Sequence, residues 1–379
     1  MSLDALARTE IVERGVAPAA VLGVARRTET GWRIEQGAAG HTGRRAADPE
    51  TIFDLASVTK SFVAVTLARL VEHGLIRFET PLGERLQESV GTLCEGSTLE
   101  ALGSHRAGLA AHGALFSALL ERRAMGRPQA LARAADGVRS ECREGGAGRF
   151  YPPVYSDLGY LLLGEALSRT SGRALDALVW DEVSRPLGSL ARSARQWLSS
   201  DARFVERVAP TEYVAFRGGV IRGAVHDENA WALSGHAASG HAGLFGRVAD
   251  VLALGMALLD ALANRNASFL SQSTVERLVS ERPGGTLRLG FDGKSAAGSS
   301  AGPSAGPLTF GHLGFTGTSF WCDPAADTVT ALLSNRVFPT RENVAIRDAR
   351  PRVHEALFAH ARELGPSPTN GTGGRTGHS

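Results

Sequence analysis

Ser57 and Lys60 stand three residues apart in Ser57-Val58-Thr59-Lys60, a spacing that places both side chains on one face of a helix, about one turn apart. A serine hydroxyl is a weak nucleophile until a neighbour takes its proton. A desolvated lysine amine can do that, whereas an arginine stays charged at any accessible pH. Composition sharpens the point, because among 41 Lys+Arg side chains only Lys60 and Lys294 are lysines. Lys294 falls in a Gly/Ser loop and reads as incidental. If Ser57 begins a helix, the positive end of the helix dipole also favours negative charge developing there. Alone, Ser-x-x-Lys is a common chance pattern.

A second group is Tyr155-Ser156-Asp157, in a chain whose four tyrosines include three between Tyr151 and Tyr160. A phenol held beside an ammonium deprotonates more easily and can shuttle a proton between nucleophile and leaving group. Read alone, the segment is an ordinary half-buried aromatic beside a helix N-cap supplied by Ser156 or Asp157. A third group is Gly311 to Thr318, inside a strand-like run bounded by Phe310 and Trp321. Its glycines weaken a strand and suit the close approach of a ligand or another backbone, and a backbone N–H just after Gly314 could face a nucleophile. The plain reading is a bulged edge strand. His226-Asp227-Glu228-Asn229 is dense in polar groups, but neighbours in an extended strand point to opposite faces and make a poor shared ligand set. It reads as a structural or cleft-lining loop. Arg336 reads as a surface guanidinium, and His105 and His241 as histidines satisfied by local backbone.

The elements that must position these groups follow from periodicity. Residues 3–14 carry Leu3, Leu6, Ala7 and Ile11 at helical spacing. Ala20 to Arg26 and Gly31 to Gly40 read as a hairpin, and Thr51 to Leu55 as a third extended segment. Ser57 opens an apolar stretch through Leu70 that ends at Gly74, and its apolar character on most sides predicts a central, buried helix. Residues 75–220 show helical patterns, notably Phe116 to Arg123, Asp157 to Thr170 and Ala174 to Trp180, with few convincing strands. Val248 to Ala263 is another helix, and Gly293 to Gly306 a surface loop. Phe310 to Trp321 and Thr328 to Asn335 return to strand character, Val344 to Leu364 is helical, and the last fifteen residues read as disordered. Strands at both ends with helices between them predict one antiparallel sheet built from the two ends of the chain plus an inserted helical domain, with a site at the seam.

Composition sets limits. A chain of 379 residues, 43% hydrophobic and 21% charged, is ordinary for a globular protein. A formal charge of +2 without a long basic run gives no electrostatic footprint for nucleic acid. Cys94, Cys142 and Cys322 are odd in number and widely spaced, which argues against a disulfide framework or a zinc site. The start lacks a basic region followed by an apolar stretch, and no segment is apolar enough to span a bilayer, so a cytoplasmic protein without membrane partners is the expectation.

Taken in order, Ser-x-x-Lys, Tyr-Ser-Asp about a hundred residues later and His-x-Gly near the C-terminus resemble the active-site serine penicillin-recognising family, which includes class C β-lactamases, D-alanyl-D-alanine peptidases and related esterases. Phe53 to Lys60 is similar to its nucleophile segment, Ser104-His105-Arg106-Ala107-Gly108-Leu109 to its SHTSGL stretch, and Gly240 to Phe245 to the β-lactamase-related branch. The resemblance spans roughly residues 15–360. It implies an α+β, β-lactamase/transpeptidase-like fold: an antiparallel sheet flanked by helices, with 1–55 and 225–364 as a discontinuous sheet domain, 56–224 as a mainly helical domain carrying the nucleophile helix, and 365–379 as a tail.

It also implies roles. Ser57 would be the acylated nucleophile, Lys60 its proton acceptor or electrostatic partner, and Tyr155 the general acid/base. Asp157, His312, Gly314 and Phe315 would line the substrate site, with the backbone N–H groups of Ser57 and Phe315 as oxyanion hole. No metal or organic cofactor is implied. Two departures bear on specificity. Asp157 stands for the family's usual asparagine, is acceptor-only when ionised and should hold Lys60 protonated, shifting the base role toward Tyr155. Leu313 replaces a threonine, deleting a hydroxyl that helps hold a substrate carboxylate; His312 could hold one only while protonated, near its ordinary pKa of roughly 6.5. The expected activity is acyl-enzyme hydrolysis of a small ester, amide or peptide, with ester, D-amino-acid amide and β-lactam all open. The alternatives are an acyltransferase and a catalytically silent ligand- or peptide-binding sensor.

Overall fold

The run Ala19-Ala20-Val21-Leu22-Gly23-Val24-Ala25 is apolar on both faces, and the computed structural model, which describes residues 1–120, 126–145 and 148–365, buries all of it near the centre of the main sheet. In chain order the strands are β1 (Ala19–Thr28), β2 (Gly31–Gly40), β3 (Phe53–Asp54), β4 (Arg192–Ser193), β5 (Tyr213–Val214), β6 (Gly219–Val220), β7 (Leu244–Gly246), β8 (Asp292–Gly293), β9 (Phe310–Leu313), β10 (Ser319–Asp323) and β11 (Thr328–Ser334). The six-stranded sheet runs β2-β1-β11-β10-β9-β8 with antiparallel neighbours, so β1 near the start pairs with β11 near the end, Val24 opposite Thr330. An antiparallel sheet drawn from both ends of the chain is thus what forms.

Alternation along β1 divides its side chains. Val21 and Ala25 join the large core with the Val248–Leu262 helix. Leu22 and Val24 face Leu3, Leu6 and Ile11 and the C-terminal helix Ile346–Glu363. Gly23 permits the first contact, since a Cβ there would lie 2.7 Å from Val248 Cγ2.

The segment bearing Ser57 starts as a single 3₁₀ turn, Ala56–Val58, and continues as the helix Thr59–Glu72, buried over most of its surface as its sequence predicts. It ends at His73 with Gly74 in the left-handed region, φ +71°. The helix Asp157–Ser171 is capped by Ser156, whose hydroxyl accepts from the Gly159 N–H, and closes on left-handed Gly172. Among the described residues no helix is long and apolar enough to cross a membrane.

Several expectations change. Phe310 to Trp321 is two strands: the chain reverses between β9 and β10, with Gly314 N–H donating to Thr318 O at 2.7 Å and Gly317 at φ +107°. The glycines there serve the reversal. The middle of the chain also contributes β4, β5 and β6, β4 pairing with β7 beside β3 in a small second sheet. The loop after β8 is not all surface, because Ala301 and Ala305 pack with Trp321 and Phe358. Lys294 closes that loop by donating to the Pro303 and Ala305 carbonyls. Of the helix expected at Phe116 to Arg123, Leu115–Leu120 is present and 121–125 lie outside the described residues, as do 366–379 of the tail.

Candidate active site

The turn that presents Ser57 is held from below. Ala56 has φ +46°, which a residue with a Cβ adopts only against a steric cost of roughly 1–2 kcal/mol. Its N–H donates to Asp54 Oδ1 at 2.9 Å, while Asp54 Oδ2 accepts from the His226 N–H at 2.8 Å. The buried Asp54 carboxyl therefore ties the turn bearing Ser57 to the loop bearing His226 and Asp227. Burial pushes its pKa up, against the two backbone donors.

Lys60 lies one turn on, fully buried. Its ammonium donates to Ser57 Oγ at 2.9 Å and to the His241 carbonyl at 3.1 Å, and pairs with Asp157 Oδ1 at 2.7 Å. Burial pulls the Lys60 pKa down, but the Asp157 charge and the hydrogen bonds to Asp157 and Tyr155 outweigh it and hold it above the ordinary lysine value. Burial likewise opposes ionisation of Asp157, yet Lys60 and the hydrogen bond from His112 keep that carboxyl far below the usual range. The resting pair is ammonium and carboxylate, as the aspartate at this position led us to expect.

Tyr155 sits over this pair, its ring 4.8 Å from Lys60 Nζ and stacked on His105 with centroids 4.6 Å apart. Its phenol does not become the easily ionised group expected from the sequence. Burial raises its pKa more than Lys60 and Ser57 lower it, so the resting hydroxyl is neutral.

Across the cleft, β9 brings His312 and Leu313, and the turn after it brings Gly314 and Phe315. The Phe315 N–H has no acceptor among the described residues. Its carbonyl accepts from Arg336 Nε at 2.7 Å, and the Arg336 guanidinium also lies 4.4 Å from its ring centroid. Arg336, expected at the surface, is only 7% exposed and donates to the Arg341 and Asn343 carbonyls as well. Arg350 donates to the Gly314 and Thr318 carbonyls, at 2.6 and 3.0 Å. The two arginines thus fix the turn from behind.

His312 lines the cleft, but not in the charge state expected of it. Its Nδ1–H donates to the Leu313 carbonyl at 2.8 Å, while burial and then the Lys60 charge pull its pKa to about 3. It is neutral at ordinary pH, not the histidinium expected from the sequence.

Ser57, Tyr155, Asp157, His312, Gly314 and Phe315 line one cleft of about 850 Å³, with Lys60 beneath its floor. His105 is met by backbone, the Ser156 N–H donating to its Nδ1, but His241 is met by side chains, Ser239 Oγ and Asp227 Oδ1. His226 and Asp227 do line the cleft, His226 contacting Glu212 at 3.0 Å. Sequence reasoning missed His112, an exposed imidazole whose Nδ1 lies 2.7 Å from Asp157 Oδ2, and also Asp54, Asp292 and Arg350. Nothing local marks them, and only the acidic residue two places before Ala56 offered a signal.

A family model described as Beta-lactamase matches residues 8–354. The N-acetylmuramyl-L-alanine amidase of Bacillus subtilis (strain 168) is 31% identical over 195 residues, 48% of this chain and 44% of the relative. A putative D-alanyl-D-alanine carboxypeptidase of Escherichia coli (strain K12) is 32% identical over 197 residues, 48% and 45% of the two chains. The chain spans about half the length of the curated relatives it matches. Among solved structures, EstCE1, a hydrolase with promiscuous acyltransferase activity, superimposes with a TM-score of 0.67 at 20% identity, covering 92% of this chain and 97% of that one. That likeness is one of fold.

Proposed function

Because the chain belongs to the Beta-lactamase family, we propose that it is a serine hydrolase that forms an acyl-enzyme on Ser57 and resolves it with water. The observation that carries this reading is the single ammonium of Lys60, held between Ser57 Oγ and Asp157 under Tyr155. A pure binder has no need of a buried cation aimed at a serine.

With Lys60 charged and Tyr155 neutral, the proton moves by relay. As the Ser57 Oγ–carbon bond forms, Tyr155 takes the serine proton and gives its own to the departing alcohol or amine, so no residue ends with a net change of charge. Water then enters in the leaving group's place and the relay runs back. The Lys60 ammonium stabilises the developing negative charge, and the Phe315 N–H is the side of the oxyanion hole that the turn after β9 supplies. Losing one such donor typically costs about 2.7–4 kcal/mol of transition-state stabilisation.

Leu313 favours a small ester or amide over a substrate gripped by its carboxylate. The names of the curated relatives support amide chemistry, and that of EstCE1 supports ester chemistry and transfer to an alcohol or amine. Three free, buried cysteines support a reducing compartment, the cytoplasm.

A fluorophosphonate probe followed by peptide mass analysis tests the reading: a mass increment on the Ser57 peptide, absent in Ser57→Ala, is expected. It should be accompanied by hydrolysis within a panel of a p-nitrophenyl ester, a chromogenic cephalosporin and a D-alanyl-D-alanine peptide. No label and no turnover would favour the silent sensor.

A further inference from the structure

Ser57 and Phe315 stand on different segments of the chain, and an oxyanion bound by both N–H groups needs those segments at a fixed separation. The Ser57 N–H, like that of Phe315, has no acceptor among the described residues. Two buried threonines join the segments. The Thr316 hydroxyl donates to the Asp54 carbonyl at 2.7 Å, and the Thr318 hydroxyl donates to the Leu55 carbonyl at 3.0 Å. The partners lie 262 and 263 residues earlier in the chain, and both threonines are buried. Asp54 and Leu55 lead directly into the turn that presents Ser57. The Leu55 carbonyl also accepts from the Val58 N–H at 3.1 Å, closing that turn. Thr316 follows Phe315, and its own carbonyl accepts from the Arg336 N–H at 3.0 Å.

We propose that Thr316 and Thr318 are positioning residues that set the gap between the Ser57 and Phe315 N–H groups, so that two hydroxyls outside the cleft lining assemble the oxyanion hole. This inference rests on Ser57 being the nucleophile and deepens that reading by naming what holds its transition-state site together. Apolar contact alone is non-directional and would join the segments without fixing their separation; a hydroxyl–carbonyl bond fixes both length and direction. Threonine suits the task, because its branched Cβ restricts χ1 and so aims the hydroxyl. The turn also needs external support. Ala56, at φ +46°, keeps its conformation only where the surroundings over-determine it. Three consecutive residues are pinned for that purpose: the Asp54 carbonyl by Thr316, the Leu55 carbonyl by Thr318 and the Ala56 N–H by Asp54 Oδ1. Two of the three pins come from the segment that carries Phe315, so the strained turn and the opposite donor are set by the same contacts.

The test pairs p-nitrophenyl acetate hydrolysis with inhibition by phenylboronic acid, whose boron bonds to the serine oxygen as a tetrahedral anion resembling the transition state. Thr316→Val, which replaces the hydroxyl by a methyl, should lower kcat/KM roughly thirty-fold, and the boronate Ki should rise by about the same factor. Thr316→Ser keeps the donor and should stay within about three-fold of wild type. Thr318→Val should cost less, roughly five-fold, because the Leu55 carbonyl keeps the Val58 N–H. The pH profile should keep its limbs in every variant, since a threonine hydroxyl does not titrate in the working range. A folded Thr316→Val with unchanged kcat/KM, a rate loss without a matching rise in Ki, or a Thr316→Ser as slow as Thr316→Val would overturn the assignment. If Thr316→Val does not fold, Thr318→Val and Thr316→Ser decide: slowing in the first but not the second upholds it, and any other result overturns it. If wild-type Ser57 takes the fluorophosphonate while these variants match wild type, only the positioning role falls. If wild-type Ser57 is unlabelled and the ester is not cleaved, the parent reading falls with it.

Discussion

Asp157 is the residue on which the chemistry of Lys60 turns. Burial alone would lower the lysine pKa, and the neighbouring negative charge reverses that. Asp157→Asn removes the charge and keeps the shape, so the Lys60 pKa should fall and the alkaline limb of the kcat/KM profile should move to lower pH; an unmoved limb would sink the charged-lysine relay. His112 faces the other carboxylate oxygen with its pKa raised, first by that hydrogen bond. Being largely exposed, it should titrate freely, and His112→Gln should shift the acid limb while Ser57 still labels. Ser57 and Lys60 were legible because an i, i+3 pair is local. The protonation states of His312 and Tyr155 were not, because each is set by burial against segments far away in the chain. His112 and Asp157 meet for the same reason, from separate segments with no shared pattern.

At the level of elements, the turn between β9 and β10 and the C-terminal helix work together. A Cβ on Gly314 would lie 2.7 Å from the Leu55 carbonyl and collide with Thr318 Oγ1, so Gly314→Ala must displace the turn that carries Phe315. A drop in kcat/KM on the order of a hundred-fold is expected, since small misplacements of a catalytic group have effects of that size. A small loss in melting temperature without the rate loss would show that the turn does not position the site. Behind it, His354 of the C-terminal helix is buried between Ser319 Oγ at 2.8 Å and Thr330 Oγ1 at 2.9 Å, and burial, then Arg350, pulls its pKa to about 3. His312 behaves alike. For both, the folded state prefers the neutral ring, so their stability contribution is present above roughly pH 6.5 and is lost as pH falls toward 3. Melting temperature should therefore drop through that window, and His354→Gln should flatten the drop. The sequence carried the turn signal in its glycines but read them as a bulge, because alternation on either side of a short reversal looks like one strand.

For the whole molecule, we propose two lobes, 1–55 with 225–364 and 56–224, meeting across the cleft. One hydrophobic cluster nevertheless runs through both, joining Val21 and Ala25 of β1 to Phe62 and Leu67 of the Thr59–Glu72 helix, Leu162 beyond it, and Leu252 and Phe320. The lobes should unfold together, as a single calorimetric transition whose van't Hoff and calorimetric enthalpies agree; two resolved transitions would separate them. The architecture was legible because strand patterns cluster at the chain ends. The short pairs β4, β5 and β6 were not, since two-residue strands leave no periodicity.

The pairing of β1 with β11 has a consequence for synthesis. On the ribosome, Ser57 and Lys60 are complete long before β9, β10, β11 and the arginines behind the turn exist. The nascent chain holds the proposed nucleophile with no opposing wall and β1 with one edge still bare. On the proposed reading a product truncated before Ile346, which lacks Arg350 behind the turn, should carry the serine yet remain inert toward the fluorophosphonate.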